Sequence, residues 1–424
     1  MYNRKQFIYR LGLLGGAASF NQLIAAGATF SELDDQFMIS PTTDDFWGWV
    51  SSQYTVSSQL LNLNNGGVSP QPKIVQDAFF KYTEMANEAP TYYLWRILEE
   101  GKEAVRMKLA EMLGADKEEI AINRNATEAL DTIIHGFPLK KGDEVVLSRY
   151  DYPRMMHAWK WREKRDGIIL KWVDFDFPEN DPKTIIDKYV SLFTSKSRLV
   201  HLTHMINWTG QVIPVKEIAS EAKKKGIKVL VDAAHTFAHL DFRISDWDID
   251  YLGSSLHKWL CAPFGTGLLY VRKDEIKNIP AFFTQDPSMS EENIRKFEEL
   301  GTRATTAELA IAKAVDFHHV IGGKRKQRRL YELKQYWTQV VKDHPRIKIL
   351  TPDNEKLSGA IGFISIDGMD AEKMDAILLK EYKIHTVAIK HEKLNGLRIT
   401  PHVYTNEHDL DRLIAALRNI ADQK

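Results

Sequence analysis

The chain has 424 residues, of which 44% are hydrophobic and 27% are charged, as is typical of a soluble globular protein with a large core. Lys plus Arg and Asp plus Glu both number 57, so the formal net charge is zero. That balance excludes the basic excess of a protein that binds nucleic acid or an acidic membrane surface. The single cysteine excludes an intrachain disulfide framework and a cysteine-rich zinc site, and we expect no bound metal.

Residues 1–28 have the pattern of an export signal. Arg4, Lys5 and Arg10 precede a charge-free stretch rich in Gly and Ala, and small residues follow near Ala26. The Arg4-Lys5 pair resembles a twin-arginine signal in which Lys replaces the second Arg. The stretch is too short to predict a stable membrane span. We therefore expect export to the periplasm; the alternative is a cytoplasmic protein with an amphipathic N-terminal helix on its core.

Residues 29–72 are predicted to form a linker and an N-terminal helix. An amphipathic pattern favours a helix from Asp44 to Leu61. The stretch that follows, residues 61–70, is rich in Asn, Gly and Pro, which marks irregular backbone. By composition alone this stretch is an ordinary turn.

Residues 73–310 are predicted to form a large domain in which strands alternate with helices. Residues 73–113 are helical in pattern, with an interruption near Pro90. Strands are predicted at residues 119–123, 144–148, 168–173, 199–203, 229–231 and 265–271, with helices after residue 124 and at 154–165, 183–194 and 215–225. This alternation predicts an α/β fold, a mostly parallel sheet with helices on both faces.

Residues 311–424 are predicted to form a smaller α+β C-terminal domain with a contribution from the N-terminal segment. Residues 274–300 before it are polar and are expected to be rich in helix, and a long helix begins near Ala307. The basic run at 324–329 is interpreted as a solvated helix face, because the chain is otherwise neutral. Four strands, at 347–350, 360–365, 385–388 and 397–400, alternate with two helices.

Four polar side chains lie near the ends of predicted strands. Tyr152, Asn207 and Asp232 follow strands, and Lys258 lies on the loop before one. Ligands of open α/β sheets bind at the carboxyl ends of the strands, so we expect these residues to converge there. An acid and an amine in this arrangement suit catalysis by pyridoxal phosphate, where Lys bonds the aldehyde and a carboxylate pairs with the pyridinium nitrogen. The alternative is a surface Lys and an Asp that caps a strand.

The turn from Arg124 to Leu130 joins a strand to a helix and carries small polar residues. Backbone N–H groups and the positive end of the helix dipole make such a turn a phosphate site. Simple N-capping by Asn125 or Thr127 is the alternative, and the two roles are compatible.

These motifs together resemble the class V aminotransferase-fold enzymes, a group that includes cysteine desulfurases, selenocysteine lyases and isopenicillin N epimerase-like proteins. The resemblance covers roughly residues 60–420 and rests on Asp232, Ser255-x-His257-Lys258, Gly265-x-Gly267, Asn125–Ala129 and Gly301-Thr302-Arg303. It implies the type I fold of pyridoxal-phosphate transferases, pyridoxal 5'-phosphate as cofactor, a small amino-acid substrate, and a homodimer with shared active sites.

The resemblance also implies a role for each matching residue. Lys258 is the Schiff-base lysine and the base that moves the substrate α-proton, Asp232 pairs with the pyridine nitrogen, and Tyr152 stacks on the ring. The groups around Lys258 must lower its pKa if Lys258 is to act as a free amine near neutral pH. Further cofactor contacts are implied for Ala126, Thr127, Asn207, His235, Ser255, His257 and, in the neighbouring subunit's site, Thr302.

Two substrate contacts follow from the same resemblance. Arg398 matches the arginine that grips the substrate carboxylate, a role that suits its bidentate geometry. A surface ion pair is the alternative for Arg398. Asn65, in the Asn- and Gly-rich stretch, matches a segment at the active-site entrance.

The positions of cysteine limit which reactions of this group the protein can catalyse. A desulfurase of this group needs a mobile thiol near the carboxylate-binding arginine, and residues 389–399 contain no cysteine. Cys261, three residues after Lys258, is expected to pack as a small apolar side chain. The residues Gly301-Thr302-Arg303, Tyr152 and 397–406 resemble the epimerase-like branch most. We therefore predict an aminotransferase or epimerase-like enzyme that acts at the α-carbon of an amino acid. The alternatives are a C–S lyase acting on a sulfur-containing amino acid and a non-catalytic relative that binds the cofactor.

Overall fold

The computed structural model describes residues 43–245 and 247–423. The chain divides into two compact units, residues 1–49 and residues 50–424. The predicted export signal, residues 1–28, lies outside the described residues, and so does the predicted linker up to residue 42. Among the helices that the structure describes, none combines the length and the apolar character that a membrane crossing requires.

Eleven helices and thirteen strands can be labelled in the described part of the chain. The helices are α1 Thr43–Ser52, α2 Lys73–Glu88, α3 Glu99–Leu113, α4 Ala126–Gly136, α5 Pro153–Asp166, α6 Pro182–Val190, α7 Val215–Lys224, α8 Thr305–Ile321, α9 Gly323–Val341, α10 Ala371–Tyr382 and α11 Glu407–Asp422. The strands are β1 Leu61–Asn62, β2 Ile120–Asn123, β3 Glu144–Ser148, β4 Ile169–Val173, β5 Ser197–Thr203, β6 Lys228–Asp232, β7 Tyr251–Ser255, β8 Gly267–Val271, β9 Ile347–Ile349, β10 Gly362–Ile366, β11 Ile384–His385, β12 Val387–His391 and β13 Leu394–Ile399. Short helical turns join α2 to α3, at Pro90–Tyr92 and Tyr93–Leu98.

The large sheet has seven strands in the order β2-β8-β7-β6-β5-β3-β4. Strands β3 to β7 pair in parallel, and β8 runs antiparallel to both of its neighbours. The predicted mostly parallel α/β sheet is therefore confirmed. Because β2 points the same way as β3 to β7, the carboxyl ends of six strands meet at one edge.

The sheet is buried on both faces, as its apolar strands predict. On one face Val146, Val200 and Val231 join a core with helices α3, α7 and α8. On the other face Val145 and Leu230 pack against α4 and α5. Alternate residues of the same strands point to opposite faces, which is why a continuous apolar run can serve both cores.

A smaller antiparallel sheet, in the order β12-β13-β10-β9, packs on helices α9 to α11 around a third core. Strand β1 from the N-terminal segment pairs in parallel with β11. The predicted boundary after residue 310 falls inside α8, and residues 50–424 form one compact unit. The division into a large and a small domain stays a prediction.

Three local expectations differ from the structure. The helix predicted from Asp44 to Leu61 ends at Ser52, and beyond it the Ser57 hydroxyl accepts hydrogen bonds from the Gln59 and Leu60 amides, which favours a turn over helix. Residues 274–300 contain only short 3₁₀ turns. In the basic run, Lys326 is 2% exposed rather than solvated, because its ammonium group donates to the Trp259 carbonyl.

Candidate active site

A cavity of about 390 Å³ lies at the carboxyl edge of the large sheet. We call it the main cavity. Most of the residues predicted from the sequence line it: Ala126, Thr127, Tyr152, Asn207, Asp232, His235, Ser255, His257, Lys258 and Arg398. They come from the ends of β2, β3, β5, β6 and β7 and from β13 of the smaller sheet. The parallel direction of the strands brings residues that are distant in sequence to one edge.

Lys258 follows β7, and its amine nitrogen Nζ lies 3.1 Å from Nε2 of His235. Burial lowers the pKa of Lys258 to about 8, and Asp232 acts in the opposite direction. Burial also lowers the pKa of His235, so its imidazole is neutral. The indole N–H of Trp259 can only donate, and it donates a hydrogen bond to His235 Nδ1 at 3.4 Å. The imidazole proton of His235 is therefore on Nε2, which donates a hydrogen bond to the Lys258 amine. The pair therefore favours Lys258 as a free base.

Asp232 ends β6 and is 4% exposed. One of its carboxylate oxygens accepts a hydrogen bond from the Ala234 amide at 2.9 Å. Burial raises the pKa of Asp232, while this hydrogen bond and Lys258 lower it. A buried carboxylate gains most from a cationic partner inside the cavity.

The turn before α4 forms one end of the main cavity. Asn125 caps the helix, since its side chain accepts a hydrogen bond from the Glu128 amide, and the Ala126 amide donates to the Ser255 hydroxyl at 2.9 Å. A Cβ on Gly267 would lie 2.6 Å from the Asn125 backbone. Only glycine therefore allows β8 to approach this turn, which explains the second glycine of the Gly265-x-Gly267 pattern; the first, Gly265, has a φ of 76°, which favours glycine. Capping of α4 by Asn125 is therefore compatible with an anion bound at the N-terminus of the same helix.

Arg398 is 7% exposed, which rules out a surface ion pair. Its guanidinium donates to the Asn207 carbonyl at 3.1 Å and to the Asn64 side-chain oxygen at 2.9 Å. The Nε of Arg398 and the Oδ1 of Asn207 are buried without a hydrogen-bond partner. Asn64 was not predicted, although it lies in the Asn-rich stretch that the sequence marked. A hydrogen bond to an oxygen of Asn64 fixes the arginine without neutralising its charge.

Tyr152 lines the main cavity and is 39% exposed. The preceding residue, Asp151, is buried, and its carboxylate accepts hydrogen bonds from the Thr203 hydroxyl at 2.7 Å and the Ser148 amide at 2.8 Å. Burial raises the pKa of Asp151 to about 7. Thr203 itself lines the main cavity beside Asp232. Neither Asp151 nor Thr203 was predicted, and together they hold the Tyr152 turn against the sheet.

Two predicted residues lie outside the main cavity. Asn65 is fully buried, donates to the Thr400 carbonyl and accepts from the Tyr404 hydroxyl, so its contacts connect the N-terminal stretch to β13. Thr302 is exposed, whereas the next residue, Arg303, anchors its turn through Glu298 and Glu308. The role of Thr302 in a neighbouring subunit's site, and the homodimer itself, stay predictions.

The residues of the main cavity fit pyridoxal phosphate. Asp232 is a buried carboxylate suited to a pyridinium nitrogen, and the first turn of α4 suits the phosphate. Lys258 has the lowered pKa that bonding to an aldehyde requires. The unpartnered Oδ1 of Asn207 is a polar atom that a ligand can satisfy.

Comparison with known proteins gives a consistent result. The family described as "Aminotransferase class-V" matches residues 61–413. The chain is 28% identical over 389 residues to an isopenicillin N epimerase from Streptomyces clavuligerus, covering 88% of this chain and 97% of that protein. It is 30% identical over 310 residues to a probable cysteine desulfurase from Synechocystis, covering 69% of this chain and 73% of that protein.

A solved structure with the same fold is that of C-DES, in a lysine-to-alanine mutant with glycine covalently linked to its pyridoxal-phosphate cofactor. The TM-score is 0.78 at 20% sequence identity, over 88% of this chain and 99% of that one. The likeness confirms the predicted fold, the type I fold of pyridoxal-phosphate transferases.

Proposed function

We propose that this chain, which belongs to the class V aminotransferase family, is an epimerase-like or aminotransferase enzyme. Its cofactor is pyridoxal phosphate. Its substrate is an amino acid, and the reacting atom is the α-carbon. The observation that carries the proposal is the Lys258 amine, whose pKa is lowered to about 8 beside neutral His235 and buried Asp232.

Lys258 is the group that holds and moves the proton. A base that works near neutral pH needs a pKa close to the working pH, and the pKa of about 8 meets that condition. Pyridoxal phosphate, when bound, withdraws electrons from the bonds to the α-carbon and so makes its proton acidic. Asp232 favours that withdrawal by supplying a negative charge near the ring nitrogen.

Arg398 is positioned to hold the substrate's α-carboxylate. Its remaining unpartnered nitrogen, Nε, lies in the wall that contains Asn207. A carboxylate held there orients the amino acid and leaves its α-hydrogen free to face Lys258. Arg398 has no carboxylate partner of its own among the described residues, so its charge is available to substrate.

A persulfide-forming desulfurase is disfavoured by two features. Cys261 is 1% exposed, its sulfur lies 3.4 Å from His402 Nε2, and burial raises the pKa of its thiol. The segment before Arg398 is a tight hairpin, since His391 of β12 pairs with Leu394 of β13 across two residues. The ring of His391 also bonds the Arg149 carbonyl at 2.7 Å. A hairpin fixed in this way has no mobile thiol to offer.

The reaction is tested by incubating the loaded enzyme with L- and D-amino acids in deuterated water. We expect deuterium at the α-carbon of at least one amino acid, together with its mirror-image form or, when a second oxo acid is added to accept the amino group, its own oxo acid. The first product identifies an epimerase and the second an aminotransferase, and chiral chromatography with mass spectrometry distinguishes them. Release of sulfide or a thiol without α-deuterated amino acid would instead establish the lyase alternative. No reaction with any amino acid would leave a non-catalytic cofactor-binding protein.

Replacing Cys261 with alanine is expected to leave turnover within about twofold of the wild type, because the thiol lies outside the main cavity. The loss of the contacts to Tyr54 and His402 is expected to lower the free energy of unfolding by about 1 kcal/mol. Steady-state rates and urea unfolding of the two proteins measure both effects. A hundredfold loss of turnover with unchanged cofactor content would show that the thiol takes part in the reaction.

A further inference from the structure

A second cavity, of about 250 Å³, lies beside the main cavity, and we call it the outer cavity. At two places, neighbouring residues line one cavity and then the other. Tyr152 lines the main cavity and Pro153, the next residue, lines the outer one. Asn207 lines the main cavity, and its neighbour Trp208 stacks on His391 of the outer cavity at a centroid distance of 4.8 Å. The two cavities are therefore lined by neighbouring residues at Tyr152 and at Asn207.

The outer cavity carries two cations that contact an aromatic ring and have no carboxylate partner among the described residues. The Arg149 guanidinium lies 6.0 Å and the Lys160 ammonium 5.5 Å from the ring centroid of Trp172, which contributes to the lining. Neither cation makes an ion pair with any carboxylate that the structure describes. Glu392 supplies the one carboxylate of the lining. The two cations outnumber that carboxylate, so the outer cavity attracts an anion.

The size of the main cavity indicates where a long substrate must go. A volume of about 390 Å³ is near the small end of the roughly 300–1,000 Å³ that cavities for one ligand span. Cofactor and amino acid share this volume, with Arg398 and Lys258 at its sides. Val68 and Tyr152 are the lining side chains that are more than a third exposed, so a side chain with several carbon atoms can extend out of the main cavity past Tyr152.

We propose that the outer cavity binds the acidic end of the substrate side chain, so that the enzyme prefers amino acids with a distal carboxylate. Arg149 and Lys160 supply the charge, and Trp172 supplies an apolar wall for the carbon chain. Arg149 is suited to grip a carboxylate because its guanidinium offers parallel N–H donors. The inference rests on the proposed function and names the substrate class for that site.

The test compares each acidic amino acid with its own side-chain amide: aspartate with asparagine, glutamate with glutamine, and the next longer homologue with its amide, in L and D forms. We expect kcat/KM for at least one acid to exceed that of its amide by tenfold or more, mainly through KM. In the double variant Arg149→Gln/Lys160→Met this ratio is expected to fall to within about twofold of unity. Lys164→Met is the matched control, because Lys164 lies on the same helix, is exposed and does not line the outer cavity.

Salt gives a second readout, since added salt screens exposed charges and is expected to reduce the acid preference of the wild type. Equal kcat/KM for every acid and its amide, or a preference that survives in the double variant, would overturn the inference while the proposed function stands. Failure of the wild type to react with any amino acid would overturn the proposed function, and this inference with it. Thermal unfolding of the double variant is expected to match the wild type, because both side chains are exposed.

Discussion

Replacing Lys258 with alanine is expected to abolish turnover, by at least about 10³-fold, and to remove the visible absorbance band of the bound cofactor. Loss of a general base alone costs about 10²–10⁴-fold, and this residue is also the amine that bonds the aldehyde. Absorbance spectra and single-turnover rates of the loaded proteins measure both effects. Lys258→Arg keeps the positive charge but cannot act as a base at neutral pH, so it is expected to fail in the same way.

Lys326 provides the control for this prediction. It is another buried lysine, burial lowers its pKa to about 8, and it lies outside the main cavity. Lys326→Met is expected to keep the absorbance band. The rate at which the wild-type apoprotein binds pyridoxal phosphate is expected to rise with pH and to level off above about pH 8, where Lys258 becomes a free amine. A Lys258→Ala protein that still turns over amino acids would contradict the assignment.

Replacing Asp232 with asparagine is expected to lower kcat/KM by about 10²–10³-fold, as the removal of one preorganised electrostatic group typically does. Asparagine keeps an oxygen for the Ala234 amide and removes only the charge. Because Asp232 raises the pKa of Lys258, the variant is also expected to load cofactor with a pH midpoint below about 8. Rate profiles against pH, compared with the wild type, measure the shift and its direction.

Asp151→Asn is the matched control for Asp232→Asn. Asp151 is also a buried carboxyl near this edge of the sheet, and it lies behind Thr203 rather than in the lining of the main cavity. Its loss is expected to lower kcat/KM by less than about tenfold, since Asp151 does not line the main cavity. Equal losses of kcat/KM in the two variants would contradict the role of Asp232 at the ring nitrogen. They would show instead that activity depends on any buried carboxyl at this edge of the sheet.

The sequence by itself determined the elements that rest on local pattern. Apolar runs such as those of β3, β5 and β6 predict buried strands because both faces of a parallel sheet are covered. Their alternation with amphipathic segments predicts the layered α/β fold. Strand direction then brings Tyr152, Asn207 and Asp232 to one edge, which is why most of the candidate site could be predicted.

Only the tertiary structure decided the remaining features. Strand β7 contains Gly253, Ser254 and Ser255, so its sequence lacks the apolar signal of a strand. It forms because its neighbours β6 and β8 supply the ladder, and Gly253 leaves space for Leu130 of α4, which would lie 2.8 Å from a Cβ there. Lys258 therefore follows a strand that the sequence did not reveal.

Tertiary structure also decided which of two neighbouring asparagines contacts Arg398. Asn64 bonds Arg398, whereas Asn65 bonds Thr400 and Tyr404, and all three contacts join segments more than 300 residues apart. Asn64 ends the extended stretch with a bridge to Thr400 and Asn65 begins the turn that follows, so a shift of one residue would change which side chain meets the arginine. In the same way Lys326 can be buried, because its ammonium group donates a hydrogen bond to the Trp259 carbonyl. Local pattern determines which segments form helices and strands, and long-range packing determines which individual polar side chains face the site.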